Sequence, residues 1–271
     1  MPDEIYNTGL VLSGGGTRGF AHLGVLQALN EAGIYPDVVS GASAGALAGV
    51  LYCDGFSPRE ALDIMKGSSR LNYMRPAMPR EGILQLSGIR KILEDHLQSK
   101  RFEDLKIPLF VSATDLNNAK PVYFSEGDLM DVIIASASIP VLFKPVKINN
   151  VFYVDGGVLD NLPLKPIENL CRFKIGSFVN PVGKEESLTS LIKITERTFM
   201  IMMAREITEK SKRFDLFIAP QDLKNYGILS PEEAEAVFKI GYKATKDKLK
   251  EPEVQQLFAS KLSENQNNSG I

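Results

Sequence analysis

Gly41-Ala42-Ser43-Ala44-Gly45 has the G-x-S-x-G spacing of a sharp turn that lifts a serine hydroxyl out of a sheet, between a strand and a helix. The flanks suit such a turn. Asp37-Val38-Val39 is a short β-prone run, and the small and apolar residues from Ala44 to Leu51 read as a helix. The two glycines leave room where neighbouring backbones crowd and a Cβ would clash. A serine placed this way can attack an acyl carbonyl if a base takes its proton and an anion site receives the carbonyl oxygen. The same spacing also occurs at ordinary turns of small residues, so those two partners decide its meaning.

A candidate anion site lies upstream. Gly14-Gly15-Gly16-Thr17-Arg18-Gly19 follows the buried-strand pattern Thr8–Ser13 and opens the helical pattern Phe20–Leu29. Backbone N–H groups at a glycine-rich turn and a helix start hold anions. Two uses are open: an oxyanion hole for acyl transfer, or a phosphate cradle. Gly14-x-Gly16-x-x-Gly19 matches the dinucleotide fingerprint, which also needs an acidic residue near the far end of the second strand. Asp37 has roughly the right count but precedes the apolar part of that strand, whose far end is Ser40-Gly41-Ala42-Ser43. A Walker loop is excluded, because Phe20 stands where its lysine would be.

The histidines limit the choice of base. There are two, His22 and His96. An α/β-hydrolase triad runs serine, acid, histidine in chain order. His22 falls in the first helix as a structural histidine, and His96 falls in the charged amphipathic run Ile89–Leu97. A serine without a triad histidine can give its proton to a carboxylate within hydrogen-bond reach. Asp155-Gly156-Gly157, after the β-prone Phe152-Tyr153-Val154, supplies a candidate, although Asp-Gly-Gly at a strand end is commonly just a turn.

Together these blocks resemble the patatin-like phospholipase family, and its compact bacterial members in particular. The resemblance runs from Thr8 to about Asn180. It includes the glycine loop, the Ser43 turn, Ala135-Ser136-Ala137-Ser138-Ile139-Pro140, and Asp155-Gly156-Gly157 with Asn161 and Pro163. It implies that Ser43 is the nucleophile, that Asp155 is its sole partner, and that Gly14, Gly15 and Gly16, helped by Ala44, hold the oxyanion. It implies that Arg18 braces the loop or meets an anionic head group. The expected activity is hydrolysis of lipid acyl esters without cofactor or metal. A catalytically silent adaptor that kept the fold is the alternative, and a dinucleotide-binding protein the weaker third.

The elements that must position these residues alternate between strand and helix. Ile107–Ala113, Pro121–Phe124, Phe173–Val179 and Asp215–Ala219 read as further strands. Asp128–Ser138, Ser187–Arg213 and Ser230–Leu249 read as helices, the last with serine N-cap and proline at its first position. The pattern predicts an α/β fold with a mostly parallel central sheet and helices on both faces. Ligands in such sheets bind outside the carboxyl ends of strands. We expect one domain over residues 1–262, with a cap over the site or a plain surface loop at 67–90, and a disordered tail at 263–271. The Phe199–Ala204 run reads as buried helix or as a membrane-contact or acyl surface.

The 31 basic residues against 33 acidic ones give no field that would draw nucleic acid. No apolar run approaches the roughly 18 residues of a membrane span, and the acidic start lacks the regions of a signal peptide. Cys53 and Cys171 are too few for a disulfide framework. From these features we expect a cytoplasmic protein, with peripheral contact to lipid as the expected membrane association and the oligomeric state open.

Overall fold

The computed structural model describes residues 6–67, 75–76, 84–184, 188–228 and 231–258. Among these residues, eight strands form one sheet. They are β1 (Tyr6–Leu12), β2 (Val38–Ala42), β3 (Leu109–Asp115), β4 (Lys120–Phe124), β5 (Val146–Ile148), β6 (Val151–Asp155), β7 (Cys171–Ser177) and β8 (Leu216–Ile218). The order is β8-β7-β1-β2-β3-β6-β5, with β4 also on β3. The five strands from β8 to β3 are parallel. β4, β5 and β6 add an antiparallel extension.

The helices are α1 (Phe20–Glu31), α2 (Ala44–Asp54), α3 (Pro58–Gly67), α4 (Ser87–His96), α5 (Leu129–Ser136), α6 (Leu191–Ala204), α7 (Ile207–Ser211) and α8 (Ala234–Lys248). Every residue of α2 is buried, which is why its sequence is small and apolar on all sides rather than on one stripe. Strand alternation splits the core in two. Leu10 and Leu12 join Leu26, Leu29, Leu51 and Phe238 on one face. Val11 and Val38 join Leu162, Leu164 and Ile167 on the other, where the chain after β6 gives irregular cover.

Two expected helices differ in detail. The 187–213 stretch divides into α6, whose N-cap Ser190 accepts from Lys193 N–H at 3.3 Å, and the short α7. The last helix begins at Ala234 after a single 3-10 turn at Pro231–Glu233. In α6, Phe199, Met200 and Met203 face the core, while Ile201 is 53% exposed, so this helix is not buried all round. Much of the expected cap segment lies outside the described residues, as does the tail at 263–271. Within that cap segment Arg70 and Arg80 lie outside the described residues. The described parts of the segment include a short antiparallel pairing of Arg75–Pro76 with Leu84–Gln85 and the start of α4.

The strand pairing of β3 governs the site. One edge of β3 carries β4 along Val111–Asp115. The other edge is shared: β2 pairs with Leu109–Ser112 and β6 takes over at Ala113–Asp115. β2 runs parallel to β3 and β6 antiparallel, so the two strands approach each other end to end. Their last residues, Ala42 and Asp155, stand opposite Ser112 and Ala113.

Candidate active site

Ser43 is the residue at which β2 turns into α2. Its backbone has φ 52° and ψ −121°, outside the regions that non-glycine residues ordinarily occupy, a strain on the order of 1–3 kcal/mol. Close packing enforces the turn. A Cβ on Gly45 would lie 2.3 Å from Leu12 O, and one on Gly41 would lie 2.7 Å from Gly45 C. The Ser43 N–H donates to Ser136 Oγ at 2.9 Å, and the Ser136 hydroxyl donates to Ser112 O at 2.7 Å. The block around residues 135–140 thus pins the elbow to β3.

Ser43 Oγ donates to Asp155 Oδ2 at 2.6 Å. The other carboxylate oxygen accepts from Gly157 N–H at 2.7 Å. The backbone of Asp155 is held on both sides, with its N–H donating to Ser138 O and its carbonyl accepting from Thr114 Oγ1. Asp155 is completely buried, and that burial raises its pKa from 3.8 to about 7 against the lowering effect of the Ser43 and Gly157 hydrogen bonds. Such a carboxyl group can take or give a proton near neutral pH.

The glycine loop passes beside this pair. A Cβ on Gly14 would fall 3.0 Å from Ser43 Cβ. The Gly14 N–H is engaged by Asn161 O at 3.1 Å, and its carbonyl accepts from Asn180 Nδ2 and Ser13 Oγ. Gly14 therefore anchors the loop and lets it approach the serine. Gly15, Gly16 and Ala44 have N–H groups with no hydrogen-bond acceptor among the described residues, so these can serve an oxyanion. Gly16 has φ +54°, and any side chain there would run into Ile228 O at 2.2 Å.

Gly16, Ser43 and Ala44 line a cavity of about 110 Å³ whose walls are almost wholly apolar, among them Leu23, Leu47, Ile139 and Phe143. Leu86 and Ile89, from the segment expected to cap the site, also line it. Arg90 is turned instead to Asp131, at 2.5 Å.

Residues 10–167 match the patatin-like phospholipase family. The chain belongs to that family. It is 36% identical over 215 residues to an uncharacterized NTE family protein of Mycobacterium tuberculosis, a match covering 74% of this chain and 60% of that protein. It is 26% identical over 267 residues to the lysophospholipase NTE1 of Candida glabrata, covering 86% of this chain but 15% of the yeast protein. The chain therefore spans less than two thirds of the length of either relative. In fold it resembles VipD from Legionella pneumophila, with a TM-score of 0.51 at 18% identity over 90% of this chain and 67% of that one.

In this patatin-like chain neither histidine reaches the serine. His22 is fully buried, with Nδ1 at 2.8 Å from Ser177 Oγ and Nε2 at 2.8 Å from Ser13 O. Burial lowers its pKa to about 4, so it is neutral. His96 is exposed, with Nδ1 at 2.9 Å from Ile92 O. Arg18 is 2% exposed and aims its guanidinium at three carbonyls, those of Tyr226, Pro181 and Lys224. It braces the loop to the 224–226 segment.

Two supporting residues escaped sequence reading as individuals. Nothing in the residue type of Ser136, within Ala135–Pro140, marks it as the hydroxyl that holds the elbow N–H. Asn180 closes the stretch that resembles the family, and its place just beyond β7, at the carboxyl edge of the sheet, is where site residues gather. Among the described residues, no helix is long and apolar enough to cross a membrane. Cys53 and Cys171 are both buried and are not joined in a disulfide.

Proposed function

We propose that the chain is a serine acyl hydrolase acting on carboxylic esters of lipids through a Ser43–Asp155 dyad. The observation that carries this reading is the 2.6 Å hydrogen bond from Ser43 Oγ to a buried carboxylate, at the end of an apolar cavity. As Oγ attacks the ester carbonyl carbon, its proton passes to Asp155 Oδ2. The carbonyl oxygen becomes an oxyanion held by the N–H groups of Gly15 and Gly16, with Ala44. Collapse breaks the ester C–O bond, and the leaving alkoxide takes the proton back from Asp155. Water then repeats the sequence on the acyl-enzyme, with Asp155 again as base.

The apolar cavity suits an aliphatic acyl chain. The name of the yeast relative makes a lysophospholipid the natural first substrate. The test is covalent labelling with a fluorophosphonate ester, with the adduct located by peptide mass spectrometry, followed by turnover of lysophosphatidylcholine and short-chain esters. We expect a single adduct on Ser43 and release of fatty acid. A folded protein that neither labels nor turns over any ester would instead be the silent adaptor. An adduct on another serine would overturn the assignment of Ser43.

A further inference from the structure

A second cavity, of about 230 Å³, adjoins the glycine loop through Arg18 and does not include Ser43. Five cations line it, Arg18, Lys184, Lys193, Arg197 and Lys224, against one acid, Glu196. The chain as a whole is slightly acidic, so composition does not account for this concentration. Glu196 is itself engaged, accepting from Ile228 N–H at 2.8 Å.

Elsewhere many basic side chains are matched. Arg59 and Lys66 share Glu235, Lys210 pairs with Asp160, and Arg213 pairs with Glu168. Among the described residues, Arg18, Lys193, Arg197 and Lys224 have no ion-pair partner. Arg18 and Arg197 donate to carbonyls, Arg197 to Gly183 O at 2.6 Å. Carbonyls fix the guanidinium groups without neutralising them. Burial, together with the charge of Arg197, lowers the Arg18 pKa to about 10 although Glu196 acts the other way. Glu196 is the one carboxylate facing these cations, and an anion in the cavity would offset the positive charge it leaves unmatched.

We propose that this cavity binds a phosphate group, held by Lys193, Arg197 and Lys224 around the buried Arg18. A phosphate offers up to two charges and three acceptor oxygens, a better match to several converging cations than a carboxylate. The group could be free in solution or the head group of a lipid. The inference goes beyond the hydrolase reading, because binding here needs no reaction at Ser43. It would nonetheless bear on the loop. Arg18 N–H donates to Gly15 O, Thr17 N–H donates to Ile228 O, and Ile228 lines the acyl cavity.

The test titrates inorganic phosphate into the full chain by calorimetry at low ionic strength. The Lys193→Gln/Lys224→Gln variant is compared with Lys239→Gln/Lys243→Gln, which removes two exposed lysines of α8 outside the cavity. We expect saturable binding at one site. The first variant should weaken it by about tenfold or more, as loss of charge-assisted contacts does, and the second should leave it unchanged. If the first variant does not fold, Arg197→Lys keeps the charge, loses the planar fork, and should still weaken binding. A second arm floats the protein with phosphatidylcholine vesicles, with and without phosphatidic acid. Capture that needs phosphatidic acid and is competed by phosphate assigns the site to a lipid head group. Phosphate binding without capture assigns it to a soluble phosphate. No saturable phosphate binding, or equal weakening in both lysine pairs, overturns the proposal.

Discussion

Ala42 and Asp155 lie on the same edge of β3, opposite the consecutive residues Ser112 and Ala113. Strands β2 and β6 reach that junction from opposite directions, so the residue after Ala42 emerges beside the carboxylate. The elbow needs no flexible side chain to find its partner, because two registers on one strand fix both. The register does not fix how the elbow backbone is held. That task falls to Ser136, whose hydroxyl accepts from Ser43 N–H and donates to Ser112 O.

Ser136→Ala should therefore leave a buried N–H and a buried carbonyl without partners. The expected stability loss is about 1–3 kcal/mol. Ester turnover should fall on the order of tenfold or more through kcat with KM little changed, because a misplaced nucleophile lowers rate more than binding. Denaturant unfolding and steady-state kinetics measure both. Unchanged kcat in a destabilised variant would make Ser136 merely structural.

Asp155 links activity to stability with opposite signs. Its folded pKa of about 7 lies above the unfolded value near 3.8, so the native state binds more protons between those values. The stability contribution of Asp155 is fully present below about pH 4 and is lost as pH rises through 7, a loss of about 4 kcal/mol. His22 runs the other way: its depressed pKa makes stability grow as pH rises from about 4 to 6.5. The difference between parent and Asp155→Asn isolates the first effect. The variant should gain on the parent as pH rises from 4.5 to 7.5 in urea unfolding, while losing nearly all activity. A constant difference across that range would contradict the raised pKa. The parent's activity should fall on the acid side with a midpoint near 7, where Asp155 takes up its proton.

The glycine loop makes a graded prediction. Gly14→Ala brings a methyl group to 3.0 Å from Ser43 Cβ and 2.6 Å from Asn161 Oδ1, and leaves the Gly15 and Gly16 N–H groups in place. It should lower kcat while the protein still folds. Gly16→Ala must hold φ +54° and place a methyl group 2.2 Å from a backbone oxygen, so it should destabilise as well as inactivate. Melting temperature and kcat, measured together, separate the two. Wild-type turnover in Gly14→Ala would remove the close approach to Ser43 from the mechanism.

The sequence carried the local parts of this site plainly. The G-x-S-x-G spacing is local and readable, but ordinary turns of small residues share it, so the elbow reading rests on the glycine loop and the Asp155 turn that accompany it. The glycine loop is local too, and three successive glycines between a strand and a helix mark an anion-binding turn without saying whether an oxyanion or a phosphate sits there. What could not be read was anything set by long-range register. That β2 and β6 share one edge of β3 has no local signature, because an antiparallel strand end looks the same wherever it pairs. For Arg18 the sequence offers two tasks, bracing the loop or meeting an anionic head group, without naming its partners. Its acceptors are the carbonyls of Tyr226, Pro181 and Lys224, and a carbonyl leaves no trace in residue type. The break between α6 and α7 falls at Arg205–Glu206, where no proline or glycine announces it.

The decisive test of a two-residue mechanism is the removal of both histidines. His22 bridges Ser13 O and Ser177 Oγ in the core, so His22→Asn should cost roughly 1–3 kcal/mol by leaving buried partners unpaired. His96→Gln, at the exposed end of α4, should cost almost nothing. Neither ring touches Ser43 or Asp155. Once corrected for the folded fraction, each variant and the double variant should keep most of the parent turnover and the same acid limb. That limb lies close enough to an ordinary histidine pKa to be mistaken for one in the parent alone. Its survival without either histidine is what identifies it with Asp155. Ser43→Ala and Asp155→Asn should both fall by several orders of magnitude under the same conditions. A folded His22 or His96 variant with turnover lowered a thousandfold would bring a histidine back as the base and end the dyad reading.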